Sequence, residues 1–272
     1  MSMYINTNTA ALNAQRKLQL SSNALNKTYE RLSSGLRINR AADDAAGLSV
    51  TTRMTSQVNG LRQAMRNAND GISLVQVAEG ALTETESALQ RMRELAVQAA
   101  NGTYNSTDRS NIHDEVAQLM SEIDRIADDT EFNSTAVIKT GQTFEIQVGM
   151  DQDQTISVTT SDANAVQIGV SADTTVSTVA GASAALALID TALASVSDMR
   201  STMGAQQNRL EAAITNLANV AERTEAARAR ILDADIASET ANLTKQAILQ
   251  QAGTAILAQA NQQPQLLLSL MS

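Results

Sequence analysis

Between Met54 and Ala96 an apolar or small residue returns at every seventh position: Met54, Leu61, Ala68, Val75, Leu82, Leu89 and Ala96. A second track, Val58, Met65 and Ile72, lies four residues behind the first and turns polar at Glu79, Glu86 and Arg93. A heptad stripe this long predicts one helix of about 60 Å that buries a narrow seam against a partner. The C-terminal half repeats the pattern in Ile189, Val196, Met203, Leu210, Leu217, Thr224 and Ile231, interleaved with Leu186, Leu193, Arg200, Gln207, Ile214, Ala221 and Arg228. Two helices of equal reach, each with only a stripe to bury, predict a mainly α fold. It is a long antiparallel coiled-coil-like bundle with the intervening chain folded back as further elements.

That intervening chain has its own periodicities. Ile112, Val116, Leu119, Ile123 and Ile126 mark a shorter amphipathic helix, with Ser106, Thr107 or Asp108 placed to cap its first turn. Beyond Asn133 the spacing changes: TFEIQVG and QTISVTT alternate with period two around MDQD and predict a β-hairpin at about 142–160. The Ser-, Thr-, Ala- and Val-rich stretch from Ser161 to Ser183 predicts loop and a return strand.

The two ends predict a third pair. Near the N-terminus Leu18, Ser22, Leu25, Tyr29, Leu32 and Leu36 step by four and three, preceded by Ile5 and Leu12. Near the C-terminus Leu232, Ile236, Leu243, Ile248, Ala252 and Ile256 form a weaker stripe, followed by the apolar LLLSLM. Residues 1–45 with 231–272 are therefore expected to form an inner terminal-helix domain, and 46–230 a rod-like helical domain carrying the hairpin. Helices so polar on their other faces are marginal alone, so the ends are expected to be disordered in the free chain and ordered by assembly with other copies.

Composition narrows what fills these seams. Of 272 residues 43% are hydrophobic but only 2% aromatic, with no Trp, so Ala, Leu, Ile, Val and Met must do the packing. Such side chains suit narrow helix seams. The single proline, Pro264, leaves long helices uninterrupted. The absence of cysteine excludes disulfides and thiolate metal sites and suits a chain exported unfolded. No hydrophobic run approaches the roughly 20 residues needed to cross a bilayer, and the N-terminus lacks a secretory pattern, so neither membrane insertion nor a cleaved signal peptide is expected.

Charge is uneven. Residues 1–40 carry six Lys or Arg (Arg16, Lys17, Lys27, Arg31, Arg37, Arg40) against Glu30 alone, a balance of +5 that leaves −14 for the rest of a chain whose net charge is −9. A basic start fits a transit peptide or a nucleic-acid arm, but neither requires the matching apolar tail at the other end. The acidic body and the lack of interleaved aromatics count against nucleic acid.

Candidate chemistry is sparse. Asp43-Asp44 and Asp233-x-Asp235 could be read as metal ligands, yet adjacent carboxylates on a helix project in different directions, and acids near a helix start complement its dipole. Asp151-Gln-Asp153-Gln-Thr155 begins like a calcium loop, but its sixth position is Ile156 and its twelfth Asp162, which favours a hairpin turn. His113 stands beside Asp114 and Glu115 without a nucleophile elbow or a Gly-rich phosphate loop, and reads as a solvated helix residue. No enzyme and no cofactor are expected.

Five blocks remain to be placed: INTNTAALNAQRKL from Ile5, ERLSSGLRINRAADDAAGL from Glu30, LRQAMRNANDGISLVQVAEGAL from Leu61, LQRMRELAVQAANGT from Leu89, and ARILDADIASETANLTKQAILQQAGTAILAQANQQPQ from Ala229. In this order and at both ends, they resemble bacterial flagellin, the filament subunit. About twenty residues separate the hairpin from the second long helix, so the resemblance is to a short form without the variable outer domains.

The resemblance implies an extracellular structural subunit that polymerises with itself for motility and is exported unfolded by the flagellar type III system. It implies a flagellin chaperone on the C-terminal helix, and cap and junction proteins as partners. Leu18, Leu25, Leu32, Leu243, Ile248 and Ile256 would belong to the terminal core helices. Ser33, Ser34, Gly35, Arg37, Asp43 and Asp44 would form a joint that also serves export. Gln90, Arg91, Leu95 and Glu115 match the patch that packs between subunits and is recognised by a vertebrate Toll-like receptor. The competing reading is a hook-filament junction protein, which shares the same terminal logic.

Overall fold

The computed structural model describes residues 7–171 and 174–271, with side chains as far as Gln262 in the last helix. Ile5 and the side chains of Pro264 and LLLSLM lie outside the described residues. In chain order the elements are α1 (Thr9–Ser34), α2 (Ala45–Ala100), α3 (Ser106–Asp129), β1 (Glu131–Phe132), β2 (Thr135–Ala136), β3 (Thr143–Gln147), β4 (Thr155–Thr159), α4 (Val179–Leu232) and α5 (Ile236–Met271). The chain divides into two compact units, residues 1–56 with 223–272, and residues 57–222. The units part within α2 and α4.

The 57–222 unit is built on the predicted seam. Leu61, Ala68, Val75, Leu82, Leu89 and Ala96 are all buried. Of the expected second track Val58 is buried and Ile72 packs on the core, but the continuous second track lies three residues behind the first: Ala64, Gly71, Ala78, Thr85, Met92 and Ala99. Small residues at these positions let the backbones approach. A Cβ on Gly71 would stand 3.2 Å from Ile146 Cγ1 and 3.3 Å from Leu210 Cδ1. The expected track through Glu79, Glu86 and Arg93 is the polar flank of the seam, and it pairs with α4. Arg200 reaches Glu86 and, at 3.9 Å, Glu79, while Arg93 Nε donates to Asp190 at 2.7 Å. Partners that descend on α4 as they rise on α2 make the pair antiparallel. Ala182, Ala185, Ile189, Ala192, Val196, Met203, Leu210 and Leu217 supply α4's buried face.

Three local details depart from expectation. The cap of α3 is Asn105, not Ser106, Thr107 or Asp108: Asn105 Oδ1 accepts from Asp108 N at 2.8 Å and Asp108 Oδ2 accepts from Asn105 N at 3.3 Å, a reciprocal capping box. A small unpredicted hairpin pairs β1 with β2, its turn residues Asn133 and Ser134 held at φ 51° and 61°. And no described residue of 161–178 forms a strand. That segment buries Ala163, Ala165, Ile168, Val170 and Val176 as irregular chain, tied by Ala165 N donating to Asp124 Oδ1 at 2.9 Å.

The predicted β3–β4 hairpin pairs Phe144 with Val158 and Ile146 with Ile156, on the face that meets the core. One expectation about membranes needs correction. A stretch of α4 reaches a mean hydropathy of 1.7 over 18 residues, which is long and apolar enough to cross a bilayer. Its seam residues Ala182, Ala185, Ile189, Ala192 and Val196 are buried against the rest of the unit.

Leu89 is fully buried and Val97 is 51% exposed on the same helix. Leu89→Ala is expected to lower stability by about 2–5 kcal/mol, whereas Val97→Ala stays within about 0.5 kcal/mol, measured by chemical denaturation followed by circular dichroism.

Candidate assembly surface

In the terminal unit α1 ends where Ser33, Ser34 and Gly35 were expected to end it. Gly35 takes φ 71°, the left-handed conformation that closes a helix, and its N–H donates to Arg31 O. Ser34 Oγ accepts from Leu36 N at 3.1 Å, while Ser33 is exposed. The chain then meets the end of α4. Arg37 N donates to Leu232 O at 2.7 Å, Ala234 N donates to Gly35 O at 2.9 Å, and Leu36 and Asp233 form an isolated antiparallel bridge. The Arg37 guanidinium donates to Ile231 O at 2.6 Å and 3.2 Å, placing positive charge on the carbonyl end of α4, where the helix dipole favours it.

The two aspartates of the joint have separate structural tasks. Asp44 Oδ1 accepts from Gly47 N at 2.8 Å and caps α2. Asp43 Oδ1 pairs with Lys27 Nζ at 2.6 Å, and its Oδ2 accepts from the backbone N–H groups of Arg40 and Asn39. The Lys27 ammonium, with these N–H groups, holds the Asp43 carboxyl down to about 2 from its ordinary 3.8. Asp235 likewise caps α5 through Ala237 N at 3.0 Å. Among the described residues no group of His, Cys, Asp and Glu is arranged to hold a metal ion.

Beyond the joint α1 and α5 run antiparallel. Leu18, Leu25, Leu32 and Leu243 are half-buried, but Ile248 and Ile256 are 59% and 57% exposed. The expected α5 stripe is therefore rotated: α1 faces the row Glu239, Gln246, Gly253 and Ala260, which puts the isoleucines outside. Together with Leu12, Leu20, Tyr29 and Leu249 they are large apolar side chains that the other described residues leave exposed.

In the other unit the structure brings together three of the four residues expected in one patch. Arg91 Nη2 lies 2.8 Å from Glu115 Oε1 and its Nη1 lies 3.0 Å from Glu94 Oε2, joining α2 to α3. Glu115 first, then Glu94, raises the Arg91 pKa. Gln90 is exposed beside them and donates to Glu86 at 3.3 Å. Leu95 is not part of this surface. At 2% exposure it belongs to the core, because it follows the buried seam beneath the patch. His113, expected to be solvated, is half-buried, and its Nδ1 is enclosed. Asp151 and Asp153 lie in the turn between β3 and β4, where Asp153 takes φ 65° and Val148 N donates to Gln154 O at 2.9 Å.

Two family profiles match the chain: the bacterial flagellin N-terminal helical region over residues 5–143 and the bacterial flagellin C-terminal helical region over residues 186–271. A flagellin of Halalkalibacterium halodurans is 47% identical over 271 residues, covering 99% of this chain and 100% of that relative. The solved Bacillus cereus flagellin is similar with a TM-score of 0.50 and 34% identity, over 56% of this chain and 88% of that one. A putative flagellar hook-associated protein of Vibrio parahaemolyticus reaches a TM-score of 0.59 over 70% of this chain and 100% of that one. At 14% identity, that likeness is one of fold alone.

The sign of the Asp43 effect follows from its depressed pKa. Folding favours the carboxylate, so its stabilisation is complete above pH 3.8 and is lost as pH falls towards 2. With the ends paired, an NMR titration should place the Asp43 midpoint near 2, and Lys27→Ala should return it towards 3.8. An ordinary midpoint in the unaltered chain would mean that the joint is open in solution.

Proposed function

This chain belongs to the bacterial flagellin family, and from that premise we propose that its paired terminal helices are the element through which it polymerises. It is a structural subunit of the flagellar filament and not an enzyme. The observation that carries the proposal is the uncovered apolar face of the terminal unit, from Leu12 and Leu20 on α1 to Ile248, Leu249 and Ile256 on α5. A heterologous contact made by such a face on every subunit repeats without closing and gives a helical polymer.

Residues 1–45 and 231–272 act as the inner domain, disordered in the free chain and ordered in the filament, and 46–230 as the surrounding rod. The chain leaves the cell unfolded through the flagellar type III apparatus. A cysteine-free sequence and ends held by few buried side chains favour that route. Before export the C-terminal helix docks on a flagellin chaperone through its exposed isoleucines. Cap and junction proteins meet the polymer at its ends. Ser33, Ser34, Gly35, Arg37, Asp43 and Asp44 serve the joint, which closes as the ends pair. Gln90, Arg91 and Glu115 form the surface offered to the vertebrate Toll-like receptor for flagellin, with Leu95 supporting it from the core.

Chains lacking residues 1–40 or 232–272 are expected to remain soluble and helical but to form no filaments after seeding, as seen by electron microscopy. Polymers of normal stability from either truncation would overturn the assignment of the ends. The soluble full-length chain is expected to activate a receptor reporter, and Arg91→Ala to weaken activation about tenfold or more, as for an interface arginine of high energetic weight. An inactive soluble chain would remove the receptor from the list of partners.

A further inference from the structure

The end helices need a register as well as an attraction, and the apolar residues of α1 do not supply one. Leu18, Leu25 and Leu32 recur every seven residues, so sliding the helices by a heptad exchanges leucine for leucine. The only buried residues α1 contributes are polar, Ser21 and Thr28. On α5 the residues that meet α1 also recur every seven, but no two are alike: Glu239, Gln246, Gly253 and Ala260. Arg31 Nη1 donates to Glu239 Oε1 at 2.9 Å, and Ser21 Oγ donates to Gln246 Oε1 at 3.1 Å. Leu18 packs on Gly253, and Asn8 Nδ2 donates to Ala260 O at 2.7 Å.

We propose that this four-residue row of α5, with the Arg31–Glu239 pair at its centre of charge, sets the register in which the two ends pair. It rests on the reading of the ends as the polymerising element and names the residues that fix their alignment. The three side-chain contacts each specify a different partner, so a slip of one heptad breaks the pairings of Arg31 with Glu239, Ser21 with Gln246 Oε1 and Leu18 with Gly253, whereas Asn8 donates to a backbone carbonyl that any register offers. Moving α5 by seven residues brings Gln246 to Arg31 and carries Glu239, only 7% exposed, away from its cation. A nearly buried carboxylate left without a partner is strongly disfavoured, more so than the intact pair is favoured. Arg31 Nη1 rests on the carboxylate while its Nε is buried without a hydrogen-bond partner, so losing Glu239 would leave the guanidinium with still less to satisfy it. In coiled coils a single polar position inside the seam fixes register in the same way. The bridge between Leu36 and Asp233 at the joint lies in the same alignment, so the constraint extends from the turn to Ala260.

Because the chain has no cysteine, pairs of introduced cysteines report the register without background. A Cβ at position 253 would lie 4.0 Å from Leu18 Cβ, inside the range of about 3.5–4.5 Å that a disulfide accepts. Leu18→Cys with Gly253→Cys should therefore cross-link within one chain at least about tenfold faster than Leu18→Cys with Gln246→Cys or with Ala260→Cys, which report slips of one heptad either way. Intramolecular bonds are distinguished from bonds between subunits by mass under non-reducing conditions. Oxidation is carried out on the soluble chain and on seeded polymer.

Adding Glu239→Arg should abolish the preference for position 253, and the swap Arg31→Glu with Glu239→Arg should restore it. Glu239→Gln, which keeps the size and a hydrogen-bond acceptor, should give an intermediate preference and serves if the reversal prevents folding. In the polymer, equal cross-linking of all three pairs, or a preference unmoved by Glu239→Arg and Glu239→Gln, overturns the proposal. Polymer formation is read separately. Failure of the unaltered chain to polymerise defeats the proposed function, while the cross-linking pattern within the polymer, where the ends are ordered, decides the register.

Discussion

The close approach of two long helices across small side chains is the constraint on which the 57–222 unit depends. With Ala64, Gly71, Ala78 and Ala99 on one track and Leu61, Val75, Leu82 and Leu89 on the other, α2 presents a seam that is narrow but fully buried. A ring at Gly71 or Ala78 would hold α4 and the β3–β4 hairpin away from it, so the scarcity of aromatics is a condition of this packing. The charged positions beside the seam then fall within reach of each other. Arg93 meets Asp190, and Arg200 meets Glu86, as rim contacts that align the pair and add little energy of their own.

The terminal unit reverses these proportions. Its helices touch through a serine, a glutamine, a glycine and one ion pair, and they keep much of their apolar surface outside. Polar contacts contribute modest net stability but strong geometric selection, because each leaves an unpaired group when it is broken. A pair held in this way is aligned without being self-sufficient, which suits an element whose remaining surface is completed by neighbouring subunits. The joint has the same character. Gly35 reverses the chain, Arg37 rests on the carbonyl end of α4, and Lys27 holds Asp43 ionised down to about 2.

Much of the architecture was legible because it rests on periodicity. The heptads of α2 and α4, the amphipathic α3 and the alternating β3 and β4 all announce the face they bury, and those faces are the buried ones. What escaped was set by single residues or by partners distant in sequence. Asn105 displaces its neighbours as the cap of α3 because its side chain and that of Asp108 satisfy each other's backbone. The β1–β2 turn depends on Asn133 and Ser134 taking left-handed conformations. The Asn-Ser dipeptide was the available signal, but strands of two residues carry no periodicity. Leu95 was expected on the surface only through the resemblance, and its burial follows from the core it packs in.

The sequence alone determined the number and type of the helices, the seam residues of the first track, the break at Ser33-Ser34-Gly35 and, through its terminal blocks, the family. These follow from local spacing and local backbone preference. Only the tertiary structure decided which second track is buried and which face of α5 meets α1, because an amphipathic stripe bounded by alanine, glycine and glutamine is too broad to choose its own centre. It also decided that Arg31 meets Glu239 and that Ile248 and Ile256 stay outside. Those choices depend on what the opposing helix presents, and a pairing between residues 208 positions apart leaves no trace in the spacing of either helix.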